Sequence, residues 1–138
     1  MKVYLSSTRP TKTREALLLI GTVWGYEVVS KWHEGQKPKY LDREGWSAKA
    51  VANFADLRAA DVVVALVEGK GGYGVQVECG YALGLGKPVV MLMNKKHPSS
   101  GLLWHPEVKG VANVDELEAE LKRMAEAAKP KQKKSKRS

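Results

Sequence analysis

A glutamate set just behind a glycine-rich turn is the feature of this chain with the clearest chemical potential: Gly71-Gly72-Tyr73-Gly74, then Val75-Gln76-Val77-Glu78. A glycine turn that opens a helix presents free backbone N–H groups, which suit a phosphate or another anion. Glu78 falls one helical turn beyond Gly74. There a helix N-terminus would favour its ionised form, the form a nucleophile needs at neutral pH. An ordinary first-turn acid would occupy the same place, worth about a few tenths of a kcal/mol. Glycine turns of this kind are also commonly structural. Other reactive side chains offer less. Cys79 has no base beside it in sequence and reads as a buried, inert thiol. His33, His97 and His105 have no ligand-like spacing with one another or with Cys79, so neither a metal nor a cofactor is expected.

The elements that must position these groups alternate between strand and helix. Lys2 to Ser6 reads as an opening strand. Pro10 suits the first turn of a helix running to about Trp24, with Leu17, Leu18, Ile20 and Val23 as its apolar stripe and Gly25 closing it. Tyr26 to Trp32 is a second strand, followed by HEGQKPKYLDREG, a polar stretch without periodicity that resembles an active-site loop. A helix from Ser47 carries Val51, Phe54, Ala55 and Leu57. The run DVVVALV that follows is apolar at every position, the pattern of a strand buried on both faces in a parallel sheet. A helix opens out of the glycine turn, KPVVMLM repeats the buried-strand pattern, Val111 to Asn113 is a short last strand, and a surface helix spans Asp115 to Ala128. The expected fold is a single-domain, doubly wound α/β protein with a five-stranded parallel sheet, flavodoxin-like or Rossmann-like. Ligands of such sheets bind at the carboxyl ends of the strands, where Ser6-Ser7-Thr8-Arg9 and the glycine turn converge.

Composition sets the surroundings. The 138 residues, 43% hydrophobic, suffice for one core but not for two independent domains. The net charge of +8 is concentrated: six positive charges lie in the last ten residues, KPKQKKSKRS, leaving 17 basic against 15 acidic residues in the remainder. Residues 1–128 are therefore expected to form the domain and residues 129–138 a disordered basic tail that solubilises or attracts polyanions non-specifically, with a specific RNA or DNA role as the alternative. One cysteine, no signal-like N-terminus and no apolar run near the ~20 residues needed to cross a bilayer point to a cytoplasmic protein without a membrane partner. Trp24 and Trp32, at element ends, read as packing residues, whereas Trp46 and Trp104, in loops, are candidates for stacking on a base.

The stretch Gly74-Val75-Gln76-Val77-Glu78-Cys79-Gly80-Tyr81-Ala82-Leu83, then Gly86-Lys87-Pro88-Val89-Val90, resembles the signature of the nucleoside 2-deoxyribosyltransferase family. Val3-Tyr4-Leu5 and Ala60-Asp61-Val62-Val63-Val64-Ala65 match it upstream, in the same order. The resemblance implies an enzyme that cleaves or transfers at the N-glycosidic bond of a nucleoside or nucleotide. It implies Glu78 as the nucleophile that forms a glycosyl-enzyme, Tyr4 as the residue that positions it, and a homo-oligomeric assembly in which Leu102-Leu103-Trp104-His105 could complete a neighbouring site. Two positions depart from the pattern. Asn53 stands where the family has an aspartate, unless Asp56 serves instead, and Gly72 stands where an acid or a serine is usual. The Ser6-Ser7-Thr8-Arg9 loop is similar to the phosphate-binding loop of the deoxynucleoside 5′-monophosphate N-hydrolases within the family, where hydroxyls and an arginine grip the phosphate. Gly71-Gly72-Tyr73-Gly74 is also similar to a motif of the cytokinin-activating phosphoribohydrolases. Both comparisons favour a hydrolase acting on a nucleotide, with Gly72, Tyr73 and Gly74 contributing to binding; a non-catalytic nucleotide binder of the same fold is the alternative.

Overall fold

A computed structural model of the chain describes residues 1–7, 10–34, 42–67, 73–93 and 105–130. Strand β1 (Lys2–Ser7) leads into helix α1 (Pro10–Leu17), which continues as a π-helical segment (Leu18–Val23), and then into β2 (Glu27–Val28). There follow α2 (Arg43–Ala59), β3 (Val62–Val67), α3 (Tyr73–Gly84), β4 (Val89–Met93), β5 (Val108–Val111) and α4 (Val114–Ala128). All pairings are parallel, in the order β2-β1-β3-β4-β5. This is the flavodoxin-like doubly wound sheet expected from the sequence, and its strand order reverses between β1 and β3.

The buried residues divide by face. Val3, Leu5, Val62, Val64 and Val90 pack with Ala16, Ile20, Leu117 and Leu121 of the helical segment after β1 and of α4. Tyr4, Val63, Ala65, Val89 and Met91 pack with Leu57, Val75, Cys79 and Ala82 of α2 and α3. Alternate strand residues thus serve opposite layers, as the period of two requires. That is why β3, covered on both faces, is apolar throughout.

Several boundaries differ from those read in the sequence. The second strand pairs over only Glu27 and Val28. Beyond them side chains replace the ladder: Ser30 Oγ accepts the Leu5 N–H at 3.0 Å, and the Trp32 indole N–H donates to the Leu5 carbonyl at 2.6 Å. With both polar groups of Leu5 satisfied in this way, the chain has no need to continue as a strand. The helix after β1 widens into a π turn, with Trp24 N–H donating to the Leu19 carbonyl five residues back. Thr13, Ala16 and Ile20, at ordinary helical spacing, are the buried residues, while Leu18 and Val23, expected on the stripe, are 57% and 67% exposed. Gly25 then turns the chain at φ 77°, a conformation glycine adopts without penalty.

Helix α2 begins at Arg43 rather than near Ser47, because Asp42 caps it by accepting the Gly45 N–H at 2.8 Å. Trp46 is therefore on the first turn of a helix, not in a loop. At its other end Lys87 donates to the Arg58 and Ala60 carbonyls, closing the helix that leads to β3. The last strand runs from Val108 to Val111, earlier than expected. Asn113 is withdrawn from it because its side chain accepts the Glu116 N–H at 2.9 Å, while Glu116 accepts the Ala112 N–H at 2.7 Å. Asn113→Ala is expected to lower stability by about 1 kcal/mol; a urea melt with an unchanged midpoint would show that the cap contributes nothing. Helix α4 ends at Ala128, and residues 131–138 of the basic tail lie outside the described residues. Among the described residues, no helix is long and apolar enough to cross a membrane.

Candidate active site

Glu78 occupies a position that a helix packed on a sheet normally gives to an apolar residue. Val75, Cys79 and Ala82 are the buried residues of α3. Glu78, three residues after Val75 and next to Cys79, lies on the same stripe. It is the sixth residue of the helix, beyond the first turn, in which α3 has no acid. The helix N-terminus expected to stabilise its charge acts mainly within that first turn, so it is not what holds this carboxylate.

Two hydroxyls from β1 hold it instead. The Tyr4 phenol donates to Glu78 Oε2, and Ser6 Oγ donates to Oε1 at 2.8 Å. Residues two apart in a strand face the same side, and both hydroxyls point toward α3. Tyr4 and Ser6 are fully buried. Burial pushes the Glu78 carboxyl above the ordinary carboxylate range, and the hydrogen bonds from Tyr4 and Ser6 pull against that rise. Burial, then the Glu78 charge and the shared hydrogen bond, and last the charge of Asp56, drive the Tyr4 phenol strongly upward, so it remains a proton donor. Burial, with Glu78 adding to it, raises the Cys79 thiol to about 12, consistent with an inert cysteine.

The remaining candidates are placed as follows. Asp56, on α2, is close enough for its charge to act on Tyr4, and its Oδ1 is 3.3 Å from Lys31 Nζ. Asn53 is half-buried one turn earlier on α2. Ser7 is buried at the end of β1. Tyr73 and Gly74 open α3, with the Tyr73 side chain 83% exposed, and Trp46 is 46% exposed on α2. Thr8, Arg9, Gly72 and Trp104 lie outside the described residues, as do Leu102, Leu103 and His97. Ser6, expected in a phosphate loop, faces Glu78. Its alternation with Tyr4 was the sequence signal for that. Trp32 packs at the rim of the α2 and α3 layer, and His33 meets it edge-on at 5.7 Å. Among the described residues, no three His, Cys, Asp or Glu side chains are arranged to hold a metal ion.

Comparison with known proteins places this geometry. A solved CMP N-glycosidase of Clostridium botulinum, BcmB, superposes with a TM-score of 0.61 at 20% identity, covering 90% of this chain and 99% of that one. A 2-deoxyribosyltransferase of Bacillus psychrosaccharolyticus superposes with a TM-score of 0.67 at 18% identity, covering 86% and 90%. A conserved protein of Enterococcus faecalis V583 gives 0.64 at 19% identity, covering 90% and 98%. At these identities the structures show a shared fold. No curated protein matches the chain in sequence. The model of the nucleoside 2-deoxyribosyltransferase family, however, matches residues 9–130. The chain belongs to the nucleoside 2-deoxyribosyltransferase family, enzymes that cleave or transfer at the N-glycosidic bond of nucleosides or nucleotides.

Proposed function

We propose that this protein hydrolyses the N-glycosidic bond of a nucleoside 5′-monophosphate, with Glu78 as the covalent nucleophile. The observation that carries the reading is a half-buried carboxylate with each oxygen hydrogen-bonded to a fully buried hydroxyl, beside the sheet position where the strand order reverses. A Glu78 oxygen attacks the anomeric carbon as the C–N bond breaks. The bonding electron pair leaves with the base, which takes up a proton. Water then attacks the same carbon, frees the carboxylate and releases a proton, so one water is consumed for each base and sugar phosphate formed. Asp56, in electrostatic reach of Tyr4, and Asn53 on the same helix are the residues for the sugar or the departing base. The phosphate falls to Ser7, Thr8 and Arg9, with Gly72, Tyr73 and Gly74 as further binding residues. The fold shared with a chain of nearly the same extent described as a CMP N-glycosidase supports the choice of a monophosphate.

The test is a panel of ribo- and deoxyribonucleoside 5′-monophosphates and the corresponding free nucleosides, with free base followed by chromatography. Base release with higher kcat/KM for monophosphates is the expected result. Release from free nucleosides alone, or exchange with an added second base in preference to hydrolysis, overturns the assignment. A non-catalytic binder is the second reading. It is favoured by the amide at Asn53 and by the pairing of Asp56 with Lys31, which together leave α2 without an unpaired acid among these candidates. It expects monophosphates to raise the melting temperature while no base appears.

A homo-oligomer fits this reading, since Trp46, Val51, Tyr73 and Val77 are exposed on α2 and α3. Light scattering would give its size. A reducing, cytoplasmic setting suits the lone Cys79.

A further inference from the structure

We infer that Ser6 is a positioning residue for Glu78, its hydroxyl and that of Tyr4 fixing the plane of the carboxylate by holding one oxygen each. The kinetic part of this inference rests on Glu78 being the nucleophile; the clamp itself does not require turnover. The terminal torsion of a glutamate is soft, so a carboxylate held at one oxygen can still swing its plane. Two donors on different oxygens stop that rotation. They come from one rigid element, because Tyr4 and Ser6 are alternate residues of β1, each paired in register with β3 at Val63 and Ala65. Ser6 is fully buried and 2.8 Å from Oε1, the usual distance of an O–H···O hydrogen bond.

The electrostatic surroundings make the second hydroxyl consequential. From β1 the groups facing Glu78 are Tyr4 and Ser6; from its own helix, Cys79, whose thiol is neutral; from α2, Asp56 is near enough to act on Tyr4 and is itself paired with Lys31. Among the described residues no cation forms an ion pair with Glu78. Two hydroxyl hydrogen bonds are therefore what opposes the burial of this charge. Ser6 thus acts on the nucleophile, whereas a serine gripping phosphate would act on substrate affinity.

That difference is measurable. The Glu78 carboxyl carbon is followed by NMR pH titration in the wild type, Ser6→Ala and Ser6→Thr, with Glu78→Gln to assign the signal and thermal melts to confirm folding. In Ser6→Ala, Glu78 is expected to titrate at higher pH than in the wild type, and Ser6→Thr, which keeps a hydroxyl, to move it back. With a nucleoside 5′-monophosphate as substrate, kcat of Ser6→Ala at neutral pH is expected to fall about ten- to a hundredfold. KM should stay within about twofold if uniform binding is untouched, and the acid limb of the rate profile should move up in pH. A folded Ser6→Ala variant whose Glu78 titrates as in the wild type overturns the inference. So does a variant with raised KM and unchanged kcat, which would assign Ser6 to the phosphate. Should the wild type release no base from any monophosphate, the proposed function fails, and the titration still decides whether the clamp exists.

Discussion

Glu78→Gln is expected to abolish base release, by about 10⁴-fold or more, while making the protein harder to melt at neutral pH. Loss of activity follows from removing the only atom pair in the clamp that can form the glycosyl ester, since an amide oxygen is a poor nucleophile. The gain in stability follows from linkage. Burial raises the Glu78 carboxyl above its ordinary value, so the folded state binds a proton that the unfolded chain gives up at lower pH. Where the native state holds more protons, stability falls as pH rises. The penalty is absent in acid, builds as pH climbs from the ordinary carboxylate range through the raised folded value, and is fully present above it. Glutamine removes the penalty while keeping the shape, and the Tyr4 and Ser6 hydroxyls can rotate to meet an amide. Each kcal/mol gained reads as roughly 3–5 °C in a domain of this size. The comparison requires melts of both proteins from acid to neutral pH. A difference that does not widen with pH would show that the charge of Glu78 costs the fold nothing, and retained activity would remove it as nucleophile. For active wild type, the same raised value puts the acid limb of its rate profile above the ordinary carboxylate range.

Leu57→Ala is expected to carry the largest stability loss among single truncations of α2, about 2–5 kcal/mol. Leu57 is the fully buried residue of that helix, set in the cluster that includes Tyr4, Val63, Val75 and Cys79. Truncation there loses the transfer free energy of the removed carbons and leaves a void beneath a helix whose neighbours are fixed by the sheet. Against a typical total of about 5–15 kcal/mol, this is a substantial share. Leu18→Ala, the same change at a leucine 57% exposed on the π segment, is expected to cost under about 1 kcal/mol. Urea melts of the two variants check the pair, with the midpoint shifting and the slope unchanged if the fold is otherwise intact. Equal losses at the two leucines would contradict the burial described for them.

The sheet and its order were largely legible because their signal is one-dimensional. DVVVALV and KPVVMLM are apolar at every position, and only strands covered on both faces need that. Helix α4 was legible for the same reason, as a simple apolar stripe with acids in its first turn. What escaped the sequence reading was wherever a side chain took over a backbone partner. Ser30 and Trp32 end the second strand by satisfying Leu5, Asp42 starts α2 inside an aperiodic polar stretch, and Asn113 leaves the last strand to cap α4. Each is a contact set by position in space, and propensity along the chain carries little trace of it.

The glutamate behind the glycine turn divides in the same way. Its type, its place on α3 and the family it signals are properties of the sequence, as is the alternation that puts Tyr4 and Ser6 on one face of β1. Its environment is not. The parallel register of β1 and the packing of α3 against it bring residues 72 and 74 positions apart in sequence within hydrogen-bonding distance. Only that approach makes Ser6 a partner of Glu78, and only the burial that comes with it raises the carboxyl. A helix N-terminus can be read from local sequence, but desolvation and hydroxyl donors depend on what lies across the interface, and here it is these that govern the charge.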